Sequence, residues 1–221
     1  MAITVLVYGQ SGAGKTTSLR TLDPKETFII DADRKGLNWK GAKKQYNLEK
    51  KNFVQTSKQE VVAELFNKIN KLPECKHIKN LVVDGLSTIM IDDEVRRYKT
   101  EGSRFKGWID LALSIWDIVS DSPLMRQDLN IIFIGHVQVE RDDNGYEFAK
   151  LKTSGRKLDK FVVESKFNTV LYAKNEDGEH FFETQANKST AKSPMDCFAS
   201  MKIPNDMKTV IDALRKYEEE E

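Results

Sequence analysis

The sequence GQSGAGKT at residues 9–16 decides the fold class of this chain, because it fits the pattern G-x-x-x-x-G-K-[ST] at every fixed position. An apolar, β-branched run at residues 3–8 precedes it and predicts a buried strand. Residues 15–22 follow and predict a helix that ends before Asp23-Pro24. A glycine-rich loop between a strand and a helix binds phosphate, so this stretch predicts an α/β nucleotide-binding fold.

Each residue type in this loop has a chemical reason to be there. The glycines let backbone N–H groups wrap a phosphate at the positive end of the following helix. Lys15 is predicted to reach the β- and γ-phosphates, and the Thr16 hydroxyl to coordinate Mg²⁺. The sequence therefore predicts ATP and Mg²⁺ as ligands. The predicted nucleotide-binding residues are Gly9, Gln10, Ser11, Gly12, Ala13, Gly14, Lys15, Thr16 and Thr17.

A metal-side carboxylate is expected at the end of a neighbouring buried strand. Asp84 closes the apolar run at residues 80–84 and is predicted to be a catalytic residue and a metal ligand together with Thr16. The alternative is that Asp84 caps the next helix. Because Gly85 follows it, a residue that positions the attacking water is expected to come from elsewhere.

Two other strand ends supply candidates for that role. Asp31 and Asp33 follow the predicted strand at residues 27–31, although acids in such loops often only shape a turn. His136 follows the predicted strand at residues 131–134 and is placed to contact the γ-phosphate, with a purely structural role as the alternative. The predicted catalytic residues are Lys15, Asp33, Asp84 and His136.

The remaining pattern predicts one domain over residues 1–217. Turn signals at residues 142–145 and at Asp177-Gly178 predict antiparallel strands in the last third of the chain. Helical spacing predicts helices at 57–72, where Ser57 and Glu60 have the form of a capping box, and at 108–119 and 205–217. We expect a mostly parallel central sheet with helices on both faces, and an acidic, disordered tail at residues 218–221.

Composition excludes some classes of protein. The chain has 221 residues, 35 basic and 34 acidic, with a net charge of +1, so it is neither a globally basic DNA-coating protein nor a globally acidic chaperone-like one. Two cysteines favour a reducing compartment. No segment is typical of a targeting peptide or a membrane span, so the sequence predicts a cytoplasmic protein without a membrane partner.

Taken together, the motifs resemble the RecA-like branch of P-loop ATPases and, more narrowly, phage-encoded ATP-binding proteins linked to recombination and single-strand annealing. The matching stretches are residues 9–17, 28–33, 81–85, 133–136, 191–195 and 203–206. The resemblance implies a RecA-like core in the cytoplasm of a host, and assembly as a ring or filament. It places Asp33 where the family has a catalytic glutamate, and this shorter side chain is a departure that implies slow hydrolysis or a water-bridged geometry. It places His136 where the family has a polar residue, usually an amide, that senses the γ-phosphate. A basic residue of the neighbouring subunit completes each ATP site in the family; the candidates here are Arg156, Lys188 and Lys192.

Basic clusters predict a surface for single-stranded DNA, with a solvated lysine-rich face as the alternative. Two clusters lie where RecA-like ATPases contact DNA: Arg96, Arg97, Lys99, Arg104 and Lys106 in one, and Lys150, Lys152, Arg156 and Lys157 in the other. A third candidate is the stretch at residues 34–53, which has seven basic residues and the single acid Glu49. Its Trp39 and Tyr46 either stack on bases or pack in the core.

The sequence leaves three functions open. The first is an ATPase that acts on single-stranded DNA in phage recombination, annealing, repair or replication, as a homo-oligomer and in company with a single-strand-binding protein. The second is a P-loop kinase for a nucleotide or other small molecule, with Arg96, Arg97 and Arg104 in its lid. The third is an assembly protein that ATP switches with little turnover.

Overall fold

The computed structural model describes residues 1–101, 108–153 and 162–220, which form nine strands and five α-helices. The strands are β1 (Ile3–Gly9), β2 (Thr27–Asp31), β3 (Phe53–Gln55), β4 (Asn80–Asp84), β5 (Asn130–Arg141), β6 (Glu147–Leu151), β7 (Thr169–Glu176), β8 (Glu179–Glu183) and β9 (Lys202–Pro204). The helices are α1 (Ala42–Gln45), α2 (Gln59–Lys71), α3 (Leu86–Glu101), α4 (Trp108–Asp121) and α5 (Met207–Glu220). In this part of the chain, none of the helices combines the length and the apolar character that crossing a membrane requires.

The strands form a mixed sheet whose centre is parallel. Their order is β3-β2-β4-β5-β1-β7-β8-β9, and β6 pairs with β5. The six strands from β3 to β7 in that order run parallel, whereas β6, β8 and β9 pair antiparallel with their neighbours. This confirms the α/β class, the mostly parallel sheet and the antiparallel additions near the C-terminus.

Both faces of the sheet are covered, because the central strands are apolar on both sides. Along β1, Val5 and Val7 pack in one cluster with residues of α5, while Leu6 and Tyr8 pack in the other with residues of α2, α3 and α4. This alternation follows the two-residue period of a strand. The prediction of helices on both faces is therefore confirmed.

Strand register brings the predicted site residues to one edge. Gly9 pairs with His136, Asp84 pairs with Ile134, and Asp31 pairs with Asp84. Because these strands are parallel, their carboxyl ends lie side by side, where ligands bind in open α/β sheets.

The phosphate-loop region differs from the sequence prediction. No α-helix forms at residues 15–22; a short 3₁₀ helix spans Thr17–Thr21 instead. The Ser18 hydroxyl donates a hydrogen bond of 2.6 Å to the Lys15 carbonyl, and Leu19 and Leu22 are buried in the core. The hydrogen bond of Ser18 fixes the start of the segment, and the burial of Leu19 and Leu22 fixes its end. Because Asp23-Pro24 follows directly, the helix stays short.

Two further predictions about helices are corrected. Ser57 does not cap α2, because its hydroxyl donates to Asp92 Oδ2 at 2.6 Å and accepts from the Arg34 guanidinium at 2.7 Å. At the other end of the chain, α5 continues through Glu220, three residues into the stretch for which the sequence predicts a disordered tail. Arg215–Glu218 and Lys216–Glu220 contacts of 3.6 Å, at helical spacing, accompany this last turn.

Candidate active site

A cleft of about 640 Å³ opens at the carboxyl edge of the parallel strands. It contains most of the residues that the sequence predicts for nucleotide binding and catalysis. The residues that line it are Ser11, Gly12, Gly14, Lys15, Thr16, Thr17, Arg20, Asp33, Lys35, Asn38, Asp84, Gly85, Ile134, Gly135, His136, His180, Pro204, Asn205 and Asp206.

The loop at residues 9–16 has the backbone of a phosphate cradle. Gly12 and Gly14 have φ angles of +81° and +86°, which L-residues with a Cβ rarely adopt. At Gly9, a Cβ would lie only 2.4 Å from the Ala173 carbonyl oxygen, so glycine is needed for the close approach of β1 and β7. Gly12 has no other heavy atom within 4 Å of its Cβ position, which leaves space beside the backbone for a ligand.

Lys15 lies across this loop. Its Nζ donates to the Gly9 carbonyl at 2.8 Å and to the Gln10 carbonyl at 2.7 Å. The side chain is buried, and burial lowers the pKa of the ammonium group, while Asp84 and Asp33 act in the opposite direction. A buried ammonium group with neutral oxygen partners is strongly stabilised by an anion, so this lysine is suited to bind phosphate.

Thr16 and Asp84 form the pair that the sequence predicts for Mg²⁺. The Thr16 hydroxyl donates to Asp84 Oδ2 at 2.6 Å. Burial raises the pKa of Asp84 to about 6, and the hydrogen bond from Thr16 only partly opposes this effect. A hydroxyl and a buried carboxylate are hard oxygen ligands, and a divalent cation would stabilise the charged form of Asp84. The two residues fit Mg²⁺, whose site stays a prediction.

Asp33 faces the same cleft with different partners. Its Oδ1 accepts a hydrogen bond from the Thr88 hydroxyl, and its Oδ2 lies 3.0 Å from Lys35 Nζ and 3.5 Å from His136 Nε2. The His136 imidazole, together with Thr88 and Lys35, holds the pKa of Asp33 well below its usual range. Asp33 is therefore ionised and held in one orientation, as a residue that positions water must be.

Gly85 makes room for Asp33. It has a φ of +109°, and a Cβ at this position would lie 2.7 Å from Asp33 Oδ1 and 2.9 Å from the Asp33 nitrogen. Gly85 supplies no carboxylate at the position after Asp84. It does leave the space that the Asp33 carboxylate, from the loop after β2, occupies.

Asp31, the other candidate in that loop, has a structural role. Its Oδ2 accepts hydrogen bonds of 2.8 Å from the Gly36 N–H and from Gln55 Nε2. The side chain is buried and does not line the cleft. Of the two acids, it is Asp33 that reaches the cleft.

His136 connects the cleft to β6 and α3. Its N–H donates to the Ser87 hydroxyl at 3.1 Å, and its carbonyl accepts from the Lys152 N–H at 2.7 Å. The Ser87 hydroxyl donates in turn to the Lys152 carbonyl at 2.8 Å. The backbone of Lys152, which belongs to the predicted DNA-binding cluster that begins at Lys150, is therefore hydrogen-bonded to His136 in β5 and to Ser87 in α3.

Sequence reasoning missed the opposite end of the cleft, which lies beyond Thr17. The Arg20 guanidinium donates to the Asn205 carbonyl at 3.0 Å, and a Cβ on Gly14 would lie 3.0 Å from both Asn205 Oδ1 and His180 Nδ1. Thr17 is the last of the predicted nucleotide-binding residues, and its place after Lys15 and Thr16 predicts a position near the α-phosphate. The end of the cleft beyond it is therefore where we expect the nucleoside. The match of residues 203–206 to the phage proteins was the one signal that could have pointed to it.

The predicted DNA-binding residues are only partly described. Arg96 and Arg97 share Asp93, at 3.4 and 3.0 Å, and Lys150 lies 2.6 Å from Glu140. Lys99 and Lys152 are exposed. The other predicted residues, Arg104, Lys106, Arg156 and Lys157, lie outside the described residues.

Of the candidates for the residue that acts on a neighbouring subunit, Lys188 and Lys192 are described and do not line the cleft of their own chain. Lys188 is exposed with a φ of +51°, and its carbonyl accepts the Ala149 N–H. Lys192 is half-buried, pairs through its backbone with Val170, and lines a separate cavity near Met1. Arg156, the third candidate, is outside the described residues. All three stay predictions.

Comparison with known proteins agrees with the geometry of the cleft. A family model described as an AAA domain, AAA_24, matches residues 1–195. This match indicates nucleotide binding and ATPase activity, as the loop at residues 9–16 predicts. No curated protein matches the chain. The chain belongs to the AAA_24 family of AAA domains.

Proposed function

We propose that this chain is a RecA-like ATPase that hydrolyses MgATP in the cleft and acts on single-stranded DNA as a homo-oligomer. The observation that carries the proposal is the convergence of Lys15, the Thr16–Asp84 pair and the Asp33–His136 pair in one cleft. Phosphate binding, metal coordination and water positioning are the functions that phosphoryl transfer to water requires.

The residues divide this chemistry among themselves. Backbone N–H groups of the loop and the Lys15 ammonium group bind the β- and γ-phosphates, and Thr16 and Asp84 hold Mg²⁺, which supplies charge neutralisation when bound. Asp33 orients the attacking water by accepting its hydrogen bond. Because the pKa of Asp33 is low, this carboxylate is a weak base, which agrees with slow hydrolysis.

Two features support an action on DNA. The cluster that begins at Lys150 and Lys152 is basic, and Lys152 is bonded through its backbone to His136 and Ser87. A change of the His136 backbone when the γ-phosphate binds would therefore reach this cluster directly. We infer that DNA and ATP bind cooperatively through this connection.

Assembly and biological role belong to the same proposal. By the resemblance to phage proteins of recombination and single-strand annealing, a basic residue of a neighbouring copy completes the ATP site. A single-strand-binding protein is then the expected partner on the DNA. Exposed Lys188 is the described candidate that is most accessible to a neighbouring copy.

ATP turnover with and without single-stranded DNA tests the proposal. We expect DNA to stimulate the wild-type chain, and Lys15→Ala to reduce turnover by about 10²-fold or more. Lys25→Ala, at an exposed lysine outside the cleft, is the matched control and should leave turnover unchanged. Phosphate transfer to a nucleotide instead of water would favour a kinase, and DNA-independent turnover at every salt concentration would contradict the action on DNA.

A further inference from the structure

The connection between β2 and β3 carries an exposed basic surface, which we define as the lysine surface: Lys40, Lys43, Lys44, Lys50 and Lys51. All five side chains are exposed, and none of them forms an ion pair with a carboxylate in the part of the chain that the structure describes. Arg96, Arg97 and Lys150 of the predicted DNA-binding clusters do form such pairs. The lysine surface therefore holds positive charge that the fold does not itself neutralise.

This surface is built on an ordered framework. Tyr46 is buried in the core, and its ring meets that of Trp39 edge to face at 5.9 Å between centroids. Trp39 Nε1 donates to Gln45 Oε1 at 2.8 Å, and Asn52 Nδ2 donates to the Pro24 and Gln45 carbonyls at 3.0 and 2.9 Å. Both aromatic rings therefore pack inward, and the lysines point to solvent.

Hydrogen bonds connect three of the lysines, two of them through the Asn47 side chain. Asn47 Nδ2 donates to the Lys43 carbonyl at 3.0 Å, and Asn47 Oδ1 accepts the Lys50 N–H at 2.9 Å. Lys50 Nζ donates to the Lys44 carbonyl at 2.5 Å. The lysines carry like charges on one short connection, and the phosphates of a polyanion would relieve their mutual repulsion.

The same connection reaches the nucleotide cleft. Lys35 and Asn38 line the cleft, and Lys35 Nζ lies 3.0 Å from Asp33 Oδ2. The connection that carries the lysine surface thus begins next to the residue that we propose to orient the attacking water.

We propose that the lysine surface binds the phosphate backbone of single-stranded DNA. Lysines bind phosphates as point charges without reading bases. Tyr46 is buried and Trp39 is partly buried against the core, so neither ring stands free on this surface as an aromatic platform for stacking. Interfaces with proteins are poor in lysine and rich in aromatic anchors. The surface therefore fits a polyphosphate chain better than an acidic protein, and its binding is independent of sequence. This assignment rests on the proposed function for its ligand.

The salt dependence of binding to an oligothymidine tests the assignment. Each phosphate contact on a single strand contributes about 0.7 to the slope of log K against log salt, so Lys43→Gln/Lys44→Gln/Lys50→Gln should lower the slope by about 2. The control replaces Lys68, Lys208 and Lys216, which pair with Glu64, Asp212 and Glu220 at helical spacing, and should keep the wild-type slope. Retained ATP turnover without DNA verifies the fold of both variants.

The other outcomes separate this inference from the proposed function. A wild-type slope in the Lys43/Lys44/Lys50 variant overturns the lysine surface and leaves the action on DNA standing. Absence of any binding by the wild-type chain, with ATP turnover intact, overturns both. Displacement of the oligothymidine by polyglutamate at equal charge concentration also overturns the assignment, because it would indicate an acidic protein partner.

Discussion

The end of β4 and the loop after β2 each place one aspartate in the cleft, and the two carboxylates have opposite electrostatic surroundings. Asp84 is almost fully buried, and its pKa is raised to about 6. Asp33 is less buried, receives hydrogen bonds from cationic and hydroxyl groups, and its pKa is lowered. Environments that separate the pKa values of two similar groups indicate different chemical roles.

The surroundings of each carboxylate favour a different role. Within the described residues, the buried Asp84 carboxylate accepts one hydrogen bond, from Thr16, and it gains most from a cation, which suits it to metal binding. A carboxylate already held by His136, Thr88 and Lys35 has its orientation fixed, which suits Asp33 to water positioning. One residue type therefore has two uses within one cleft, and substitutions at the two positions should give different results.

Asp84→Asn should have the largest effect. Loss of the negative charge beside Thr16 weakens Mg²⁺ binding, and we expect ATP turnover to fall by about 10²–10³-fold. A magnesium titration of turnover measures the effect, and the half-saturating concentration should rise. An unchanged magnesium dependence would remove Asp84 from the metal site.

Asp33→Asn should have a smaller effect, with magnesium dependence preserved. Because the role we propose for Asp33 is to orient water and its lowered pKa makes it a weak base, we expect turnover to fall by about 10–10²-fold, at or below the usual contribution of a general base. Lys35→Gln is the control, since it removes one partner of Asp33 and keeps the carboxylate. Wild-type turnover in Asp33→Asn would exclude the proposed role.

The sequence predicts this pair only in part. The bounds of β2 and β4 follow from apolar runs that end in aspartate, and parallel pairing then brings the strand ends together, so Asp84 and Asp33 could be placed at one edge. The partners that separate their pKa values come from other parts of the chain. Thr88 lies 55 residues from Asp33, and a local pattern does not indicate that the two side chains meet.

The end of the cleft formed by Arg20 and Asn205 is hard to predict from the sequence for the same reason. Asn205 lies 185 residues from Arg20, and their contact depends on β8 and β9 adding to the edge of the sheet beyond β7. The 3₁₀ helix after the phosphate loop also escapes propensity rules, because tertiary packing of Leu19 and Leu22 sets its length.

Gly85→Ala tests whether Asp33 needs the space that the glycine after Asp84 provides. A Cβ there would lie 2.7 Å from Asp33 Oδ1 and would also strain a backbone with φ of +109°, so we expect lower turnover and a loss of stability of about 1–3 kcal/mol. Gly178→Ala is the control, because that glycine has φ of +87° and open space around its Cβ position. Gly178→Ala should lower the free energy of unfolding, as measured with urea, and should leave ATP turnover unchanged. Equal turnover in both variants would show that Asp33 does not need the space at Gly85.

The smallest expected effect concerns stability without nucleotide, and its sign should differ between the two aspartates. Asp84 has a raised folded-state pKa, so its favourable contribution is present below pH about 4 and is lost as the pH rises to about 6. Asp84→Asn should therefore stabilise the chain at pH 7, by about 1–3 kcal/mol, and the gain should disappear in acid.

Asp33 has a lowered pKa, so its contribution is present above its ordinary pKa and is lost as the pH falls through the folded-state value. Asp33→Asn should therefore destabilise the chain at pH 7, and this difference should shrink in acid. Urea unfolding between about pH 4 and 7 measures the trend for Asp84→Asn, and unfolding from about pH 4 downward measures the trend for Asp33→Asn. If both substitutions changed the free energy of unfolding in the same direction, the surroundings of the two carboxylates would not shift their pKa values in opposite directions. The proposed division of roles between Asp84 and Asp33 would then lose its electrostatic basis.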